Sequence, residues 1–110
     1  MKIKLINENG IIFDNGMELN DFHDQDCCEH VYACWDSLKT EAGLMEHEFD
    51  EDLKIEGVEN SGFRLDGFFV PCYNFQNGYY SSSLELIIKY SDKRTTKHID
   101  ISDWVNDQIG

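Results

Sequence analysis

The sequence predicts a β-rich α+β domain: a single antiparallel sheet or rolled barrel of six to nine short strands with one or two short helices. Three observations predict it. Short runs of alternating apolar and polar residues recur along the chain, turn signals containing Gly separate them, and 110 residues with 41% apolar content and one Pro suit one compact core. A domain of this size buries about two thirds of its unfolded surface, enough for one unstapled core and too little for two. Residues 1–110 are expected to form one domain.

The opening reads as a hairpin. Residues 2–6 alternate charge with apolar side chains, placing Ile3 and Leu5 on one face; Asn9-Gly10 favours a tight turn; and Ile11, Ile12 and Phe13 return. Asp14-Asn15-Gly16 makes a second turn into residues 17–22, giving a short meander. Residues 28–35 fit a strand, with Val31, Ala33 and Trp35 on one face. They also fit a helix, because Cys27, Val31, Cys34, Trp35 and Leu38 follow 3.6-residue spacing. The β-branched and aromatic content favours the strand. Asp36 or Ser37 is then placed to cap a short helix through Leu38, Ala42, Leu44 and Met45, limited by Gly43.

The second half is more plainly β. Residues 54–58 alternate, Asn60-Ser61-Gly62 turns, and residues 63–70 continue with Gly67 as a bulge or bend. Pro71 lacks a ladder donor, which places residues 70–73 at an edge or a strand end. Asn77-Gly78 signals a hairpin joining residues 71–74 to residues 80–90, where Leu84, Leu86, Ile87 and Ile88 form the most hydrophobic strand; this hairpin is expected to be central. The tail offers a strand at residues 98–101, after which Ser102 is placed to cap a turn carrying Trp104, Val105 and Ile109.

Charge is concentrated. The chain holds 22 acidic and 9 basic residues, a net of −13, and residues 14–59 contain 15 of the acids against only Lys39 and Lys54. That stretch therefore carries the whole excess. A field of this sign repels phosphate, so direct binding to nucleic acid or to an anionic membrane is opposed, while basic partners and cations are admitted. Within it, Glu46, Glu48, Asp50, Glu51 and Asp52 read as a solvated acidic loop broken by His47 and Phe49. No run reaches the ~18 apolar residues of a membrane span, and the N-terminal stretch turns polar too soon for a signal peptide, so a cytoplasmic location is expected. The four cysteines (Cys27, Cys28, Cys34, Cys72) are then expected as thiols, without a disulfide.

Two blocks carry a resemblance. His23-Asp24-Gln25-Asp26-Cys27-Cys28-Glu29 contains a His-x-Gln-Asp-Cys-Cys-Glu pattern, and residues 70–81 contain Asn77-Gly78-Tyr79-Tyr80-Ser81. In these the sequence resembles an uncharacterised family of small acidic proteins from bacterial and phage genomes. The resemblance implies a β-rich fold and brings no catalytic residue or cofactor with it.

Four chemistries are open at these residues. His23, Cys27, Cys28 and His30, with Cys34 and Cys72 further off, are the side-chain types that bind zinc, although adjacent Cys27 and Cys28 on a strand point to opposite faces and do not form a zinc knuckle. Cys28 and His30, near Asp24, Asp26 and Glu29, resemble a thiol-enzyme constellation, yet surrounding acids raise a thiol's pKa and weaken it as a nucleophile. Asp21, Asp24, Asp26 and Glu29 offer oxygens to a divalent cation without the spacing of an EF-hand. Tyr73, Phe75, Tyr79 and Tyr80 supply rigid aromatic bodies with polar tips, suited to recognition and equally to capping a β core. The leading expectation is a non-enzymatic binding protein, a monomer or weak homodimer with no cofactor. It would use Tyr73, Phe75, Tyr79, Tyr80, Glu46, Glu48, Asp50, Glu51 and Asp52 against a basic protein partner, in the manner of phage-type inhibitors that occupy the basic cleft of a nucleic-acid-binding enzyme. The alternative is a metal- or thiol-dependent enzyme centred on His23, Cys27, Cys28 and His30.

Overall fold

The computed structural model describes residues 1–22, 31–74 and 84–107. Within them the expected β-rich character holds, with the strands divided between two sheets. Strands β1 (Ile3–Asn7), β2 (Gly10–Phe13), β3 (Glu18–Phe22), β8 (Glu85–Lys89) and β9 (Lys97–Asp100) form the first sheet, in the order β1-β2-β3-β8-β9 and antiparallel throughout. The second holds β4 (Val31–Ala33), β5 (Ile55–Val58), β6 (Gly62–Leu65), β7 (Phe68–Asn74) and β10 (Asn106–Asp107).

The first sheet starts as the turn chemistry dictates. Asn7 pairs with Gly10 across Glu8-Asn9, and Gly10 stands at φ 152°, where a Cβ would run into the Leu19 carbonyl and the Asn20 backbone of the neighbouring strand. Only glycine fits there. The expectation that Ile3 and Leu5 share a face fails for a local reason. The β1–β2 register shifts between them, a bulge that turns Leu5 outward to 49% exposure and brings Ile6 against the core instead.

In the second sheet β7 is the hub. Phe68–Pro71 pair with β6, Cys72–Asn74 pair with β4, and Tyr73 and Asn74 also run parallel to β10, so these two residues are held on both edges. Pro71 therefore lies inside a long strand rather than at its edge or end. Its carbonyl accepts the Cys34 amide at 2.7 Å, and the reciprocal bond that proline is unable to donate falls where β4 gives way to a helical turn. Asp66 (φ 49°) and Gly67 (φ 91°) are the two-residue loop of the β6–β7 hairpin. The Asp-Gly pair is a chain reversal, not a bulge in a continuous strand.

The hairpin expected between residues 71–74 and 80–90 is not formed, since β7 and β8 belong to different sheets. β8 is nonetheless interior, flanked by β3 and β9, and buries Leu86 and Ile88. The helical elements are short 3-10 turns, Trp35–Thr40 and Ser102–Trp104. Neither has a side-chain cap: the Ser37 hydroxyl donates back to the Cys34 carbonyl, and Ser102 donates to Asp100 while accepting the Leu84 amide. No helix among the described residues is long and apolar enough to cross a membrane.

One hydrophobic cluster draws on both sheets and the segments between them. Ile11, Phe13, Leu19 and Leu86 meet Phe63, Leu65, Val70 and Cys72, and Trp35 packs edge-on to Phe63 at 5.7 Å between ring centres. Each large side chain buried this fully stabilises by about 1.5–3 kcal/mol. Residues 46–52 are pinned to this core at one point. Phe49 is buried against Phe13 (5.5 Å), its amide bonds the Met1 carbonyl, and His47 stacks edge-on against it while bonding Asp66.

Candidate functional site

The junction between the two sheets leaves a cleft of about 510 Å³. Its walls come from the β1–β2 turn (Glu8, Asn9), the end of β3 (Asp21, Phe22), all of β4, and Cys34, Trp35 and Asp36 beyond it. Local folding explains each position. β4 alternates, sending Val31 and Ala33 into the core and Tyr32 toward the cleft, and the 3-10 turn then carries Trp35 inward and Asp36 outward.

Asp21 is the joint of the site. One carboxylate oxygen accepts the Ala33 amide and the other the Trp35 indole N–H, both at 2.9 Å, so a side chain of the first sheet holds the backbone of β4 and the large core side chain of the turn that follows it. Burial raises the Asp21 carboxyl above its ordinary range, opposed by the hydrogen bonds from Ala33 and Trp35. Tyr32 lies against Tyr73 with ring centres 5.9 Å apart, and its hydroxyl is pushed up by burial, then by Cys34 and Tyr73. Cys34 forms part of the wall. Cys72, behind it on β7, is fully buried, and that burial drives its thiol up to about 12, so it stays protonated at neutral pH.

Glu8, Asp21 and Asp36 thus bring three carboxyl groups to the cleft, beside Tyr32 and Phe22, the latter 51% exposed. Among the described lining residues there is no Lys, Arg or His. Asp36 is bridged by Lys39, which stands outside the lining, at 3.1 Å, and Glu8 carries no such partner among the described residues, so the arrangement offers carboxylate oxygens and aromatic faces, the chemistry that receives an ammonium or guanidinium group.

The residues singled out from sequence are distributed otherwise. His23, Cys27, Cys28, His30, Phe75, Tyr79 and Tyr80 lie outside the described residues. Asp21 is described, and both its oxygens are engaged by N–H donors. No group of three His, Cys, Asp or Glu side chains among the described residues is arranged to hold a metal ion. Tyr73 borders the cleft through Tyr32.

The acidic run stands elsewhere. Phe49 at its centre meets Phe68 at the start of β7, whereas Tyr73 is five residues along that strand, about 17 Å away at ~3.4 Å per residue. The acidic run and Tyr73 therefore lie at separate places on the surface. Within the run, Glu46, Asp50 and Asp52 are exposed, Glu48 bonds the Met1 amine, and Glu51 bonds Arg94, which also grips Asp92 and lies 4.2 Å over the Tyr90 ring.

Sequence reasoning missed the role of Asp21, although a signal was present. Two residues after buried Leu19 on the same strand, Asp21 falls on the core-facing side, where a carboxylate requires donors. Comparison of the chain with family models, curated proteins and solved structures finds no match.

Proposed function

We propose that this is a non-enzymatic acidic binding protein whose cleft receives a basic segment of a protein partner. The observation that carries the reading is the cleft's lining: the carboxylates of Glu8 and Asp36 beside Tyr32 and Phe22, with no Lys, Arg or His among the described lining residues and Lys39 bridging Asp36 from outside it. A net charge of −13 adds long-range attraction, which speeds the encounter with a basic surface and disfavours nucleic acid and other polyanions. An inhibitor or accessory protein acting on a nucleic-acid-binding partner fits this charge, as the two phage-like sequence blocks also suggest. The exposed acids of residues 46–52 serve here as a source of field, remote from the cleft.

The test uses an oligo-arginine peptide as probe, followed by calorimetric titration. Binding is expected to weaken about tenfold or more between about 0.05 M and about 0.5 M NaCl, as screening shortens. Glu8→Gln with Asp36→Asn should cost about tenfold in affinity, while Asp50→Asn with Asp52→Asn, an equal change in net charge, should cost about twofold or less. Equal losses from the two pairs would reduce the cleft to a bystander, and salt-insensitive affinity would sink the electrostatic reading altogether.

A further inference from the structure

The first sheet ends at β1; Phe49 covers its edge at Met1, and of residues 2–8 only Glu8, in the β1–β2 turn, also lines the cleft, so the edge along Ile3–Asn7 is a second surface. In a hairpin closed by a two-residue loop, Asn7 and Gly10 form the hydrogen-bonded pair, and hydrogen-bonded and non-bonded pairs alternate along an antiparallel ladder. Ile6, opposite Ile11, therefore turns its amide and carbonyl away from β2, toward the open edge. Beside that edge runs an apolar groove of about 290 Å³, floored by buried Leu38 and Leu44 and walled by Leu5, Ile6 and Met45. Leu5 is 49% exposed and Met45 47%, two of the three large apolar side chains left in water among the described residues. The bulge in β1 is what delivers Leu5 there.

We propose that a second copy of this chain docks on β1, antiparallel, about a two-fold axis at Leu5. Three features of the edge favour a copy over an unrelated strand. With the axis at Leu5, Lys4 of one chain faces Ile6 of the other, so the lysines at the edge are kept apart and each lays its apolar stem along an isoleucine. Lys2 at one end of the segment falls opposite Glu8 at the other, an opposite-charge pair formed twice. Leu5 is at once the wall of the groove and the knob beside it, so each copy offers the other the same contact, as an isologous interface requires. The two sheets join into one, and the exposed edge disappears. Opposing this is the repulsion of two bodies of net charge −13, which makes the dimer weak and dependent on screening.

The salt response is thus opposite to that of the cationic ligand. Sedimentation velocity from about 10 µM to about 1 mM chain is expected to show a monomer–dimer equilibrium that shifts toward dimer as NaCl rises from about 0.05 M to about 0.5 M. Leu5→Lys should abolish the dimer, and Met45→Lys, a second exposed position, should weaken it at least tenfold; circular dichroism checks that both variants fold. Hydrogen exchange should slow at the Ile6 amide as concentration rises. A monomer throughout this range, a dimer untouched by both substitutions, or an Ile6 amide indifferent to concentration would each overturn the proposal.

Discussion

Asp21 Oδ1 accepts the Trp35 indole N–H at 2.9 Å, joining the last strand of the first sheet's meander to the largest fully buried side chain. The same carboxylate takes the Ala33 amide, so a single side chain sets how β4 leaves the cleft. Asp21→Asn keeps one acceptor and turns an amide N–H toward the other donor, an expected loss of about 1–3 kcal/mol in urea denaturation at neutral pH. The pH dependence has a definite sign. Because burial raises the folded-state pKa of Asp21, its contribution favours the native state most below its ordinary value of 3.8 and fades as pH rises through the raised value. The stability gap between wild type and Asp21→Asn should therefore widen as pH is lowered from neutral; a gap that narrows would show that the two hydrogen bonds outweigh burial.

Cys72 titrates with the same sign at the other end of the scale. Burial lifts its thiol from an ordinary 9.0 to about 12, so the unfolded chain ionises first and native stability drains away from pH 9 upward. Cys72→Ala removes a core atom and should cost about 1–2 kcal/mol at neutral pH. Above pH 9 the gap to wild type should close, because the variant has no thiol to ionise. In the native protein, iodoacetamide should modify Cys72 only at the rate of unfolding, and rapid modification would place the thiol nearer solvent than the structure does.

The anchoring of residues 46–52 depends on His47. Its Nε2 lies 2.6 Å from Asp66 Oδ2, and its ring meets Phe49 at 4.6 Å and Phe68 at 5.2 Å, tying the run to the β6–β7 turn. His47→Ala should cost about 1–2 kcal/mol and speed exchange of the Phe49 amide. His47→Gln restores a polar partner for Asp66 without the ring contacts, and is expected to fall between. Equal stability of the Gln variant and wild type would assign the whole effect to the hydrogen bond.

Much of this architecture was written in local chemistry. Asn9-Gly10, Asp14-Asn15-Gly16 and the alternation of residues 54–58 name their turns and strands because backbone conformation and strand period are short-range properties. What could not be read was long-range pairing. The runs flanking residues 75–83 look like a hairpin by proximity, yet β8 finds β3, with Leu86 opposite Asp21 and Ile88 opposite Leu19, because its apolar face completes a sheet begun by the N-terminal meander. Asp21 was legible as a carboxylate and illegible as a joint, since its donors arrive from β4 and from Trp35, twelve and fourteen residues on. The compensation between Pro71 and Cys34 is of the same kind: one residue's missing donor matters only once the neighbouring strand is placed.

Two glycines separate conformational cost from steric cost. Gly67 stands at φ 91° with nothing within 4 Å of where a Cβ would be, whereas Gly10, also at positive φ, would drive a Cβ into the Leu19 carbonyl. Gly67→Ala meets only the left-handed backbone penalty, about 1 kcal/mol, and Asp66 beside it already tolerates φ 49°. Gly10→Ala must push β3 away from β2, which disturbs the pairing of Ile11 with Leu19 and the placement of Asp21 two residues beyond. Its expected cost is about 3 kcal/mol or more, in the range seen when a packed core is overfilled. The difference should also reach the cleft. Trp35 fluorescence, read with Trp104→Phe in every variant so that only the indole bonded to Asp21 emits, should be unchanged in Gly67→Ala and shifted in Gly10→Ala; equal destabilisation with no shift in either would mean that β3 has room to move without carrying Asp21 with it.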